Sequence, residues 1–129
     1  MSVQPPQESP HKGKTGLRRV WNAMFYSFAG LGSAWKHEDA FRQESILAML
    51  LVPLAFLLTG DNLARALMIA SVLLVLIVEL VNSAIEATVD RISLENHNLA
   101  KRAKDIGSAA VFISLLNVVV IWALMLTRP

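Results

Sequence analysis

Five polar side chains, Glu79, Asn82, Ser83, Glu86 and Asp90, recur in a largely apolar run, LMIASVLLVLIVELVNSAIEATVD, over residues 67–90, whose first half is interrupted only by Ser71. At about 100° per residue their spacing puts all five on one side of a helix. A carboxylate inside a membrane helix is costly and normally faces a partner, a bundle interior or an aqueous site. The stripe therefore reads as a site. The competing reading, the wet end of a helix leaving the bilayer, suits Asp90 and Glu86. It does not suit Glu79, which has apolar sequence on both sides. Glu38 and Glu44 stand upstream, and Asp105 follows Lys104 downstream. Hard oxygen donors of this kind suit Mg²⁺, which usually takes one or two carboxylates plus substrate phosphates. Lys104 offers a phosphate a point charge, and Arg19 a bidentate one. A carboxylate at the membrane surface can accept the proton of a substrate hydroxyl. Metal, cation and base are the parts of a phosphoryl-transfer site, where positioning supplies most of the catalysis. Ion pairs between helix ends would use the same residues.

Other chemistries find little support. Gly13-Lys14-Thr15 resembles the end of a Walker A loop, but position 8 is Glu8, not the glycine the loop needs. Gly30-Leu31-Gly32 lacks the third glycine of a dinucleotide fingerprint, since Trp35 stands there. His11, His37 and His97 are not spaced for zinc, and no cysteine is present for thiolate or disulfide chemistry. A net charge of +2 is too small to argue for nucleic acid.

The elements that must position the stripe are membrane helices. At 129 residues the chain holds one domain, and 54% hydrophobic content in long blocks exceeds the apolar share of a globular domain. Residues 1–14 carry three prolines and few apolar side chains, and read as a disordered tail without signal-peptide features. Residues 15–36 place Leu17, Val20, Trp21, Met24, Phe25 and Phe28 on one helical face after a basic start. This predicts an amphipathic surface helix with Thr15 as N-cap. Spans are expected at about 40–60, interrupted by Pro53, at 63–90 and at 105–127. Gly107, Ser108, Ala109 and Ala110 are small enough for close helix approach, and Trp122 suits an interfacial anchor. Lys and Arg cluster before the first span and in the 91–104 loop, which predicts a cytoplasmic N-terminus and sets the stripe toward the side that holds ATP. The fold class expected is all-α and multi-pass.

Two segments make a family recognisable. ELVNSAIEATVDR from Glu79 to Arg91 and AKDIGSAA from Ala103 to Ala110, with AFRQE at Ala40–Glu44 and the preceding Glu38, closely resemble the prokaryotic diacylglycerol kinase family. The likeness runs from about Thr15 to Trp122. It implies an inner-membrane homotrimer that moves the γ-phosphate of ATP, with Mg²⁺, onto the free hydroxyl of diacylglycerol. It further implies Glu79 as catalytic base and Glu38 and Glu86 as metal ligands. Arg19, Tyr26, Glu38, Glu86, Glu95, His97, Lys104 and Asp105 fall at nucleotide contacts. Arg19, Trp35, Arg42, Glu44, Glu79 and Ser108 fall near the lipid, and Asn82 and Asp90 shape the site. The chain departs from the pattern at Asn96, where an aromatic residue is expected, and Lys101 adds a charge at a position that varies within the family. A related undecaprenol kinase, a proton-coupled transporter using Glu79, and a structural membrane subunit are the alternatives. Arg91-Ile92, Gly107-Ser108-Ala109 and the FRQE segment lean toward diacylglycerol.

Overall fold

The computed structural model describes residues 16–92 and 98–129. Four helices follow in order: α1 (Leu17–His37), α2 (Asp39–Leu58), α3 (Asn62–Ile92) and α4 (Asn98–Leu126). The all-α expectation holds among the described residues, and α2, α3 and α4 are each long and apolar enough to cross a membrane. The expected tail and the Thr15 cap lie outside the described residues. Gly16 directly precedes α1, and its carbonyl accepts the Arg19 N–H at 3.1 Å. Its φ of 78° lies in the left-handed region that glycine tolerates without strain.

The chain divides into two compact units after Ser33. In the first, Leu17, Val20, Trp21, Phe25 and Phe28 are all more than half exposed. Trp21 and Phe25, one turn apart, pack edge to face at 5.3 Å. A helix that leaves its apolar stripe uncovered in this way suits burial at a bilayer surface.

In the second unit α3 packs against both α2 and α4. Ala48 and Ala55 from α2, Ala64, Met68 and Val72 from α3, and Trp122 from α4 form the core. The three alanines let backbones approach, which suits helices that pack in lipid without a hydrophobic drive between them. Trp122 is therefore not an interfacial anchor. It is buried, and its indole N–H donates to the Met68 carbonyl at 3.2 Å, an acceptor shared with the Ser71 hydroxyl at 2.6 Å. Trp122→Phe keeps most of the ring and removes the donor, with Met68 still served by Ser71. The expected cost is about 1 kcal/mol, read as a lower midpoint in detergent denaturation. An unchanged midpoint would leave packing as the residue's whole contribution.

The far end of the unit is closed by polar caps. Asp61 Oδ1 accepts the Leu63 N–H at 3.0 Å, capping α3. Arg65 donates to the Thr59 and Phe56 carbonyls at 2.8 and 3.1 Å, satisfying the orphan end of α2. Arg128 pairs with Asp61 at 3.0 Å, so the end of α4 meets the start of α3.

Both long helices outrun the membrane. With 31 residues at 1.5 Å each, α3 is about 46 Å long, against a hydrocarbon thickness of roughly 30 Å. About twenty residues of span counted from Asn62 reach Asn82; counted back along α4 from Leu126 they reach the neighbourhood of Gly107. Those two residues touch across the α3–α4 contact, so both counts place one membrane boundary at the same level. Glu79 lies just inside that boundary, and Glu86, Asp90, Lys104 and Asp105 lie at or beyond it. α4 starts at Asn98, seven residues before the expected span, because hydropathy marks where lipid begins rather than where a helix does. The extra turns carry a Lys101–Asp105 pair at 2.7 Å, one turn apart.

Candidate active site

At the boundary level Glu38, Ala40, Glu44, Glu79, Asn82, Glu86, Ser108 and Val111 line a cavity of about 260 Å³. Three helices and one connecting residue build it. Glu38 comes from the α1–α2 connection, Ala40 and Glu44 from the first turns of α2, and the stripe residues from α3. Ser108 and Val111 come from one face of α4. Four carboxylates share this space, and none of its lining residues is Lys or Arg. So much uncompensated negative charge calls for a cation or protons.

The stripe grades from buried to wet along α3. Glu79, Asn82 and Ser83 are buried, Glu86 is half-buried and Asp90 is exposed. The Ser83 hydroxyl reaches Glu79 Oε1 at 3.5 Å, a long contact that leaves the carboxylate largely free. Glu44 Oε2 and Asn82 Oδ1 are buried without a hydrogen-bond partner. Buried polar atoms are normally satisfied, so unpartnered ones beside a cavity are what a ligand would complete.

Below the acidic cavity lies an apolar one of about 270 Å³, lined by Leu47, Ala48, Leu51, Val72, Val75, Leu115, Val118 and Val119, with Glu44 at its edge. Glu44 thus lines both spaces. Sequence reasoning missed this apolar space, because its residues repeat at ordinary core spacing and nothing local separates a groove lining from a packed core.

The structure gathers Glu38, Glu44, Glu79, Asn82, Glu86 and Ser108 into one site. Asp90 and Lys104 form an ion pair at 2.6 Å that ties α3 to α4 at its rim. Asp105 is held by Lys101, a partner the sequence reading did not supply. Trp35 and Arg42 are not among the lining residues; Arg42 instead donates to the Trp35 and Lys36 carbonyls. Arg19 and Tyr26 lie exposed on α1 in the first unit. Glu95 and His97 lie outside the described residues. Of the four small residues at 107–110 only Gly107 is buried. A Cβ there would overlap Asn82 Oδ1.

Three membrane-long helices with an acidic cavity at their membrane-surface end define a small integral-membrane protein with a charged site. The chain belongs to the prokaryotic diacylglycerol kinase family, whose model matches residues 25–126. It is 58% identical over 118 residues to a diacylglycerol kinase of Pseudomonas aeruginosa, covering 92% of this chain and 96% of that one. It is 51% identical over 112 residues to one of Escherichia coli, covering 87% and 92%. A third, from Helicobacter pylori, is 47% identical over 115 residues, 89% of each chain. The chain is accordingly a kinase using ATP, and its helices fit a multi-pass inner-membrane protein.

Proposed function

We propose that this chain transfers the γ-phosphoryl group of ATP to the free hydroxyl of diacylglycerol, giving phosphatidic acid and ADP at the cytoplasmic face of the inner membrane. The observation that carries this reading is the position of Glu79. It is buried and lines the acidic cavity, and the length of a membrane span counted along α3 puts it near the level where hydrocarbon gives way to headgroups. Diacylglycerol presents its hydroxyl at that depth while its chains stay in hydrocarbon. The hydroxyl oxygen attacks the γ-phosphorus, its proton passes to the Glu79 carboxylate, and the ADP oxygen leaves in line.

Glu38 and Glu86 are the residues that fit Mg²⁺. Among the described residues no group of three His, Asp or Glu side chains could hold a metal alone. Two carboxylates suit an ion whose other ligands are phosphate oxygens and water. Bound there, Mg²⁺ would neutralise phosphate charge. Arg19, Tyr26, Glu95, His97, Lys104 and Asp105 bind the nucleotide; Trp35, Glu44 and Ser108 hold the lipid; Asn82 and Asp90 shape the site. A homotrimer fits this reading. Ser108 lines the cavity yet is exposed, so the α4 side is open, and a neighbouring subunit would close it. The clustering of Lys and Arg before the first span and in the 91–104 loop supports a cytoplasmic N-terminus.

The undecaprenol alternative is not favoured, since the relatives named above are diacylglycerol kinases. The deciding assay gives the purified protein in mixed micelles labelled ATP, Mg²⁺ and one lipid alcohol at a time. Labelled phosphatidic acid from diacylglycerol is expected. Label in undecaprenol alone would move the chain to the other substrate, and no labelled lipid from either would remove the kinase reading.

A further inference from the structure

Glu38 is the one residue between α1 and α2, and its backbone is extended, with φ −116° and ψ 107°. Its N–H donates to the Ala34 carbonyl at 2.9 Å, and its carbonyl accepts the Arg42 N–H at 3.2 Å. One residue therefore ends one helix and starts the next. It stands at the N-cap of α2, yet its side chain makes no capping hydrogen bond. A missing cap costs helix stability. The carboxylate is turned to the acidic cavity instead. Something else must hold this elbow.

We propose that Arg42 is a positioning residue for Glu38: its guanidinium clamps the α1–α2 elbow and thereby holds the Glu38 carboxylate in the cavity. Arg42 Nη1 donates to the Trp35 and Lys36 carbonyls at 2.8 and 3.0 Å, two of the orphan groups in the last turn of α1. The Nη2 end pairs with Asp39, the first residue of α2. A planar fork with several donors can bridge both helices at once, and a cation suits the negative end of α1. Arg42 does not line the acidic cavity, so it acts through the elbow rather than on the lipid.

The functional half of this proposal rests on the reading of Glu38 as a metal ligand, and the test separates the two. The full-length protein in micelles is prepared as wild type, Arg42→Gln, Arg42→Lys, Glu38→Gln and the Glu38→Gln/Arg42→Gln double variant. Amide hydrogen exchange over residues 36–40 reports the elbow. Mn²⁺ binding by paramagnetic resonance with a non-hydrolysable ATP analogue reports the metal site. Initial rates report turnover and lipid KM.

In Arg42→Gln, exchange at the elbow should accelerate, Mn²⁺ affinity and kcat should each fall about tenfold, and the KM for diacylglycerol should hold within about twofold. Arg42→Lys should recover part of each, because a point charge serves one carbonyl. In the Glu38→Gln background Arg42→Gln should still accelerate exchange but take nothing further from Mn²⁺ affinity or kcat. Unchanged exchange in both Arg42 variants, an effect confined to lipid KM, or full additivity of the affinity and kcat losses in the double variant would each overturn the proposal. If Glu38→Gln binds Mn²⁺ as the wild type does, the metal reading fails instead, and exchange alone decides whether Arg42 holds the elbow. Should Arg42→Gln not fold, Arg42→Lys carries the same comparisons.

Discussion

Glu79→Gln should cut turnover by about 10²- to 10⁴-fold, the range a positioned general base contributes, while the protein stays folded. The substitution is nearly isosteric and keeps an oxygen that can accept the Ser83 hydroxyl, which lies 3.5 Å from Glu79 Oε1. It also removes one of four carboxylates lining a single cavity without a Lys or Arg among its lining residues. Stability should therefore be kept or slightly raised. Phosphate transfer to diacylglycerol, measured alongside the detergent-denaturation midpoint, separates the two effects. A near-normal rate would show that another group takes the proton. A lost rate with a collapsed midpoint would mean that Glu79 is structural.

Among the described glycines, Gly107→Ala should be the most damaging substitution. Two terms oppose each other. Replacing glycine within a helix gains up to about 1 kcal/mol, whereas forcing a methyl into a filled contact costs about 1–3 kcal/mol. The added Cβ would overlap Asn82 Oδ1, and Asn82 is buried on the cavity wall. The amide must swing, and its room lies toward the site. The cost in rate should exceed the cost in stability, since a misplacement near 1 Å can cost about a hundredfold. Gly107→Ala/Asn82→Ala should recover the denaturation midpoint but not the rate. If Gly107→Ala alone keeps both, the α3–α4 contact is looser than the structure shows.

These two residues illustrate how much of the site was legible in the chain. Glu79 was legible because its signal is local: a carboxylate within apolar sequence, one turn from Asn82 and Ser83 and two from Glu86. Gly107 was legible only as one of four small residues, of which the fold uses one at the α3–α4 contact. Arg42 showed its type but not its task, since the carbonyls it serves lie six and seven residues back, across a break in the helix.

The sequence by itself determined the helices, their membrane length, the stripe on one face of α3 and, through its motifs, the family. Hydropathy and helical period are properties of neighbouring residues, so they survive without a fold. Only the tertiary structure decided that Trp122 donates to Met68 rather than anchoring at an interface, and that Asn82 rests on Gly107. It also decided that Glu44 joins an acidic cavity to an apolar one. Each of these depends on how far one helix is turned and shifted against another. That offset is set by the sum of many small packing contacts, and no short segment carries it.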